Sequence, residues 1–279
     1  MTKIKPDLAG VPETMLWTLH NRASEAMKPR GLIRDPEAIR IYQALDYDFE
    51  RHFGRADGTH AVRAAEIDTI LRQWIGRHPE GWVIALGEGL ETQFSRVDNG
   101  HLHWLSVDLP EAMRLRDLLL PLRPREQRFT GSALDSAWMQ AVPAAVIGSE
   151  ICIIAQGLFM YLDGDAIRHL LTDIAARFPG CLLIFDSIPH WLSRLTQRPG
   201  GFRRTPHYTV PPMPWGIDCN EVAPTLRQWQ VSDESETKPY RLPRGIPRLT
   251  AFLFSLFPRL RPQVPAVTAA VLRPRDRDQ

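Results

Sequence analysis

Three short stretches of this chain carry residue types that could hold an adenosine-bearing ligand. The first is Leu86-Gly87-Glu88-Gly89-Leu90, whose two closely spaced glycines let a backbone approach a bound group. The third glycine of the GxGxxG pattern is missing, because position 92 is threonine. That full pattern seats a pyrophosphate, so the stretch suits a ligand without phosphates. The second is Asp108, roughly 20 residues further on, the usual spacing for an acidic residue that accepts from ribose hydroxyls. It could also serve the start of a helix opened by Pro110. The third is Gly131-Ser132-Ala133-Leu134-Asp135. There Asp135 could accept from an adenine amino group and Leu134 could pack on the ring; an N-cap role for Asp135 is the alternative.

These residues act together only if each ends a strand of one sheet, because ligands of open α/β sheets bind at the carboxyl ends of the strands. The pattern predicts this. Continuous apolar runs at 82–86, 151–155 and 181–185 read as strands buried on both faces, with weaker strands at 101–107 and 127–130. Helices are predicted over 110–120 and 164–178, so strand and helix alternate as in right-handed βαβ units. Before the first strand, residues 1–76 read as a helical cap, with helices opening at Pro12 and at Asp35-Pro36 and a third over 60–76. Residues 196–245 are rich in proline and glycine and read as an irregular insertion lying over the site as a lid. Residues 264–272 read as a last, antiparallel edge strand. The expected organisation is a single domain over 1–279, with 77–195 and 246–279 forming the α/β core.

Bulk properties narrow the function classes. A net charge of +2 gives no electrostatic case for nucleic acid or an anionic membrane surface. The apolar run 251–257 stops at Pro258, far short of the roughly 20 residues that a spanning helix requires. Cys152, Cys181 and Cys219 form no CxxC pair and are odd in number, which argues against a disulfide framework or a zinc knuckle. No metal is expected, and a cytoplasmic location fits the cysteine usage. The oligomeric state is not legible in the sequence, and the tail 273–279 is expected to fray.

The ordered set of motifs resembles the leucine carboxyl methyltransferase family, including its polyketide-tailoring O-methyltransferases. Residues 85–94, Ala-Leu-Gly-Glu-Gly-Leu-Glu-Thr-Gln-Phe, resemble that family's "LGAGLDTR" signature. Val107-Asp108-Leu109-Pro110-Glu111 matches its "VDLPE" turn, and residues 155–162 match "AEGLLMYL". Asn21-Arg22-Ala23 and Asp35-Pro36 resemble its N-terminal segment, so the likeness spans roughly residues 12–190. The resemblance implies a seven-stranded class I methyltransferase fold with S-adenosyl-L-methionine as cofactor. It implies that Arg22 and Arg63 clamp the cofactor carboxylate and that Gly87 offers its carbonyl to the amino group. Asp108, with Leu109 beside it, would hold the ribose, and Ser132, Ala133, Leu134 and Asp135 the adenine. One departure stands out: the glutamate of "AEGLLMYL" is Gln156, which still accepts a hydrogen bond but carries no charge. Glu88, where the family often has a small residue, is a candidate to compensate.

Methyl transfer is an in-line displacement, and the protein contributes mainly positioning and exclusion of water. Candidates on the acceptor side are Asp186, at a strand end, with His190 after it, Tyr161, and His207 in the insertion. The expected activity is O-methylation of a hydroxyl or carboxylate on a small, polyketide-like or aromatic molecule. The alternatives are a protein C-terminal carboxyl methyltransferase, an N- or S-directed enzyme, and a cofactor-binding protein without turnover. A nicotinamide dehydrogenase is disfavoured by the missing glycine.

Overall fold

A computed structural model describes residues 3–241 and 263–273. The apolar run 251–257, most of the tail and the first part of the expected core segment 246–279 lie outside the described residues.

Four helices precede the sheet: α1 (Thr14–Ala26), α2 (Pro36–Ala44), α3 (Phe49–Phe53) and α4 (Thr59–Ile75). The start of α2 follows from its sequence, since Asp35 accepts from the Ala38 N–H and Pro36 occupies the first turn. The short α3 was not foreseen. Asp48 caps it and its buried Phe49 and Phe53 hold it, but five residues are too few to show a helical period.

The sheet contains β1 (Trp82–Leu86), β2 (His103–Asp108), β3 (Glu126–Thr130), β4 (Ile151–Ala155), β5 (Leu182–Ser187), β8 (Glu234–Pro239) and β9 (Ala266–Val271). Its order is β3-β2-β1-β4-β5-β9-β8. The first five strands are parallel, and β9 runs antiparallel to both of its neighbours. This is the class I methyltransferase arrangement, doubly wound and mostly parallel. Alternation along β1 feeds two layers. Ile84 and Leu86 join Ile167, Leu171 and Ile174 of α7 (Gly164–Arg177) on one face. Val83 and Ala85 join Ile67, Leu71 and Trp74 of α4 on the other.

Two expectations are corrected here. β9 is not an edge strand, because β8 pairs along its outer side. The segment 196–245 is not an irregular insertion throughout. It contains the end of α8 (His190–Thr196), the β6 (Phe202–Thr205) and β7 (Tyr208–Val210) hairpin, α9 (Val222–Gln228) and β8. The reason is composition: β8 reads Glu-Ser-Glu-Thr-Lys-Pro, with no apolar run, because an edge strand buries little.

Candidate active site at the strand ends

The turn after β1 carries Gly87 and Gly89 with φ of +64° and +53°, a region that favours glycine. A side chain at Gly89 would also strike Met15 of α1, at 2.9 Å from its Cβ. β2 ends in Asp108, whose carboxylate accepts from the backbone N–H groups of Gly89 and, at 2.7 Å, Leu109. Burial pushes the Asp108 carboxyl up, and these hydrogen bonds offset only part of that. Around these groups lies a cleft of ≈ 270 Å³, walled by Leu109, Ser132, Ala133, Leu134, Tyr161 and the N-terminal side of α1. Leu109 and Leu134 are exposed large apolar side chains at its rim. That is a suitable surface for a flat ring beside an acidic group.

A second, smaller cleft of ≈ 60 Å³ adjoins it and shares Thr14, Met15, Gly87, Gly89 and Gly157. Arg63, from α4, and Gln156, after β4, line it. Arg63 Nη1 donates to Asp186 Oδ2 at 3.0 Å, and the Tyr240 hydroxyl donates to the same oxygen at 2.9 Å. The Gly157 N–H donates to the other Asp186 oxygen. Gly157 has φ +67°, and a Cβ there would lie 2.9 Å from the guanidinium of Arg63. An arginine set against glycine and fixed by a carboxylate could still offer a face to a ligand carboxylate.

Most other residues named from the sequence are turned to partners within the protein. Arg22 has a fully buried side chain and is spent inside the protein, donating to Glu91 at 2.6 Å, Asp35 at 3.2 Å and the Leu90 carbonyl at 2.7 Å. It lines neither cleft. Glu88 borders the smaller cleft but is buried against Arg116 at 3.0 Å and the Trp104 indole N–H, so its charge is answered behind the turn. Asp135 caps the turn that follows by accepting from Ala137 N–H at 2.9 Å, and it does not line the cleft. Asp186 is a buried partner of Arg63 and not an open base. His190 pairs with Glu221 at 2.8 Å on the surface, and His207 is exposed at the hairpin turn. No residue of 196–241 lines either cleft. The hairpin packs on the cap instead, with Tyr208 against Phe53 at 4.7 Å between centroids. Tyr161 does line the larger cleft, and burial pushes its phenol up to about 12.

The sequence reading missed a buried ionic cluster that reaches the smaller cleft through Glu91. Arg96 of α5 (Gln93–Val97) contacts Asp35, Asp68 and Glu91, each at 2.7–2.8 Å, and Arg22 joins it. Arg116 of α6 (Pro110–Leu119) donates to the carbonyls of Gly89 and Glu91, which holds the β1 turn from outside. Burial pushes the Glu91 carboxyl up, but Arg22 and Arg96 outweigh it and hold the group at about 2. A depressed carboxyl stabilises the fold above its unfolded pKa of about 4.3, and that contribution is lost as pH falls toward 2. Urea midpoints are therefore expected to carry the full Glu91 contribution, with no pH dependence from it, between pH 5 and 8 and to drop below about pH 4. Glu91→Gln should flatten that acid limb; an unchanged limb would remove Glu91 as its source.

No family model matches the chain. It is 28% identical over 236 residues to the tetracenomycin polyketide synthesis O-methyltransferase TcmP of Streptomyces glaucescens, covering 81% of this chain and 85% of that protein. It is 27% identical over 195 residues to an S-adenosyl-L-methionine-dependent methyltransferase of Gibberella zeae, covering 64% and 65% of the two chains. Among solved structures, the S-adenosylmethionine-dependent methyltransferase SibL covers 95% of this chain and 70% of its own, with 14% identity and a TM-score of 0.49. A likeness at that level adds nothing to the site.

Proposed function

We propose that this chain, an S-adenosylmethionine-dependent methyltransferase, transfers the methyl group to an oxygen of a small molecule, in the manner of the polyketide-tailoring branch of the family its motifs resemble. The observation that carries the reading is the pair of adjoining clefts, in which Arg63 and Gln156 face one and Asp108, Leu109 and Leu134 face the other. The 28% identity to a polyketide O-methyltransferase supports the oxygen acceptor and a place in secondary metabolism.

The residues present fit the cofactor. Arg63 would receive its carboxylate, the Gly87 carbonyl its amino group, Asp108 its ribose hydroxyls, and Leu109, Ala133 and Leu134 its adenine. S-adenosylmethionine, when bound, supplies a methyl group already activated on a sulfonium. The chain's task is then alignment and dryness. Met15 and Thr14 of α1 border both clefts, so α1 would exclude water from the junction. Tyr161, lining the cleft with its phenol at about 12, keeps its proton near neutral pH and would donate a hydrogen bond. Among the described residues no histidine lines either cleft. We therefore favour an acceptor oxygen that arrives ionised or nearly so, a carboxylate or an acidic phenol. No described helix is long and apolar enough to cross a membrane, and the three free cysteines support a reducing compartment such as the cytoplasm.

Calorimetric titration with S-adenosylmethionine, S-adenosylhomocysteine and NAD tests this reading. Saturable binding of the first two and not the third is expected, with a loss of about 10- to 100-fold in Asp108→Ala, the range for losing hydrogen bonds to a charged group. Methyl transfer to aromatic carboxylic acids or acidic phenols, identified by product mass, would then define the acceptor. A folded protein that binds neither adenosyl compound would overturn the proposal.

A further inference from the structure

Gln156 is the one position of the cofactor set at which the motif's charge is missing, and its surroundings are unusual. Its Nε2 donates to Glu91 Oε2 at 3.0 Å. Its Oε1 is closed off from solvent and has no partner among the described residues, and the residue lines the smaller cleft together with Arg63 and Gly87. The amide orientation follows from chemistry. An ionised carboxylate only accepts, so the NH2 group must face Glu91 and the carbonyl must face away. Glu91 in turn is fixed by Arg22, Arg96 and the Thr92 N–H. A buried carbonyl left without a donor costs roughly 1–3 kcal/mol unless a ligand satisfies it.

Two of the departures from the motifs meet in space; Glu88 and Gln93 are others. Where "LGAGLDTR" has aspartate the chain has Glu91, and where "AEGLLMYL" has glutamate it has Gln156. Glutamate is one methylene longer than aspartate, and here its carboxylate reaches the residue-156 side chain. A second carboxylate at position 156 would lie within hydrogen-bond distance of the first, where two like charges cannot both ionise freely. Three carboxylates and three arginines balance in the ionic cluster, but one of the arginines is half exposed and screened by solvent, so the buried groups alone hold one excess negative charge. Asp35, Asp68 and Glu91 face two buried arginines, Arg22 and Arg96, with half-exposed Arg72 touching Asp68 from outside.

We propose that Gln156 and Glu91 form a single ammonium-binding unit, in which the Gln156 carbonyl receives the cofactor's amino group and Glu91 supplies, one amide behind it, the negative charge that the family places at position 156. The inference rests on the methyltransferase reading above. The neutral glutamine is then a relocation of charge and not a weakened site. Glu91 also lines the smaller cleft, but its oxygens are engaged by Arg22, Arg96, the Thr92 N–H and the Gln156 amide, so it is a positioning residue that acts on the ligand through the amide.

The test is calorimetric titration of wild type, Gln156→Met, Gln156→Glu, Glu91→Asp and the double variant Glu91→Asp/Gln156→Glu, each checked for folding by thermal unfolding. The probes are S-adenosylhomocysteine and 5′-methylthioadenosine, which has the adenosine but neither ammonium nor carboxylate. Gln156→Met is expected to weaken S-adenosylhomocysteine about tenfold, the order of one charge-assisted hydrogen bond, and to leave 5′-methylthioadenosine unchanged. Gln156→Glu is expected to give no gain, or a loss. In the Glu91→Asp background the same substitution is expected to raise affinity, because the shorter aspartate withdraws from position 156; a coupling of this kind is the signature of direct contact. A gain of about tenfold or more in Gln156→Glu alone would overturn the proposal, since it would mean that a charge was simply missing. Equal weakening of both probes in Gln156→Met would overturn it too. Failure of wild type to bind either probe would instead sink the cofactor reading on which the proposal stands.

Discussion

Arg63→Met is expected to weaken S-adenosylhomocysteine by about 10- to 100-fold, the loss of one or two charge-assisted hydrogen bonds to a carboxylate. 5′-Methylthioadenosine should bind as before. The reason is geometric: Arg63 is the arginine that lines the smaller cleft, and Asp186, Tyr240 and the Gly157 N–H fix that arrangement. The substitution also leaves Asp186 buried with a carboxylate and no cation, which by itself destabilises the fold. The double variant Arg63→Met/Asp186→Asn separates the two effects. It should recover thermal stability and remain weak toward S-adenosylhomocysteine. Recovery of affinity together with stability would show that Arg63 does no more than hold the fold.

Arg22→Met is expected to act on stability. Its guanidinium is fully buried, bridges Asp35 and Glu91, and reaches the Leu90 carbonyl. Removing one member of a buried ion cluster leaves uncompensated charge and costs about 3–5 kcal/mol. Arg96 stays in place beside both carboxylates, so the lower end of that range is expected. A shift of the urea midpoint with an unchanged slope measures it. Cofactor affinity in the surviving folded fraction should fall only modestly, through Glu91 and Gln156. The opposite result, intact stability with abolished binding of S-adenosylhomocysteine, would return Arg22 to the ligand-clamping role that the motif resemblance implies.

Motif order located the turn after β1, Asp108 at the end of β2 and the Ser132–Leu134 stretch, because each lies at a strand's carboxyl end next to its own apolar run. Apolar runs are visible in sequence when a strand is buried on both faces, as β1 and β4 are. The same logic hid β8: its residues are polar, and it is a strand only because β9 pairs with it. Side-chain partners were hidden for a related reason. Arg22 and Arg63 both begin as arginines on cap helices near the same turn. What separates them is that Arg22 meets Glu91 and Asp35, while Arg63 meets Asp186 and the open side of Gly157.

The sequence by itself determined the sheet's central strands, the cap at Asp35-Pro36 and the strand-end position of the Gly87-Glu88-Gly89 turn. These depend on local periodicity and on glycine and proline conformations, which a chain carries wherever it folds. Only the tertiary structure decided which charges are available to a ligand. Glu88, Arg22 and Asp186 are all answered by residues far away in the chain, and Gln156 is oriented by a glutamate 65 positions before it. A charge's role depends on which opposite charge is buried beside it, and that pairing is set by packing across elements that no spacing rule connects.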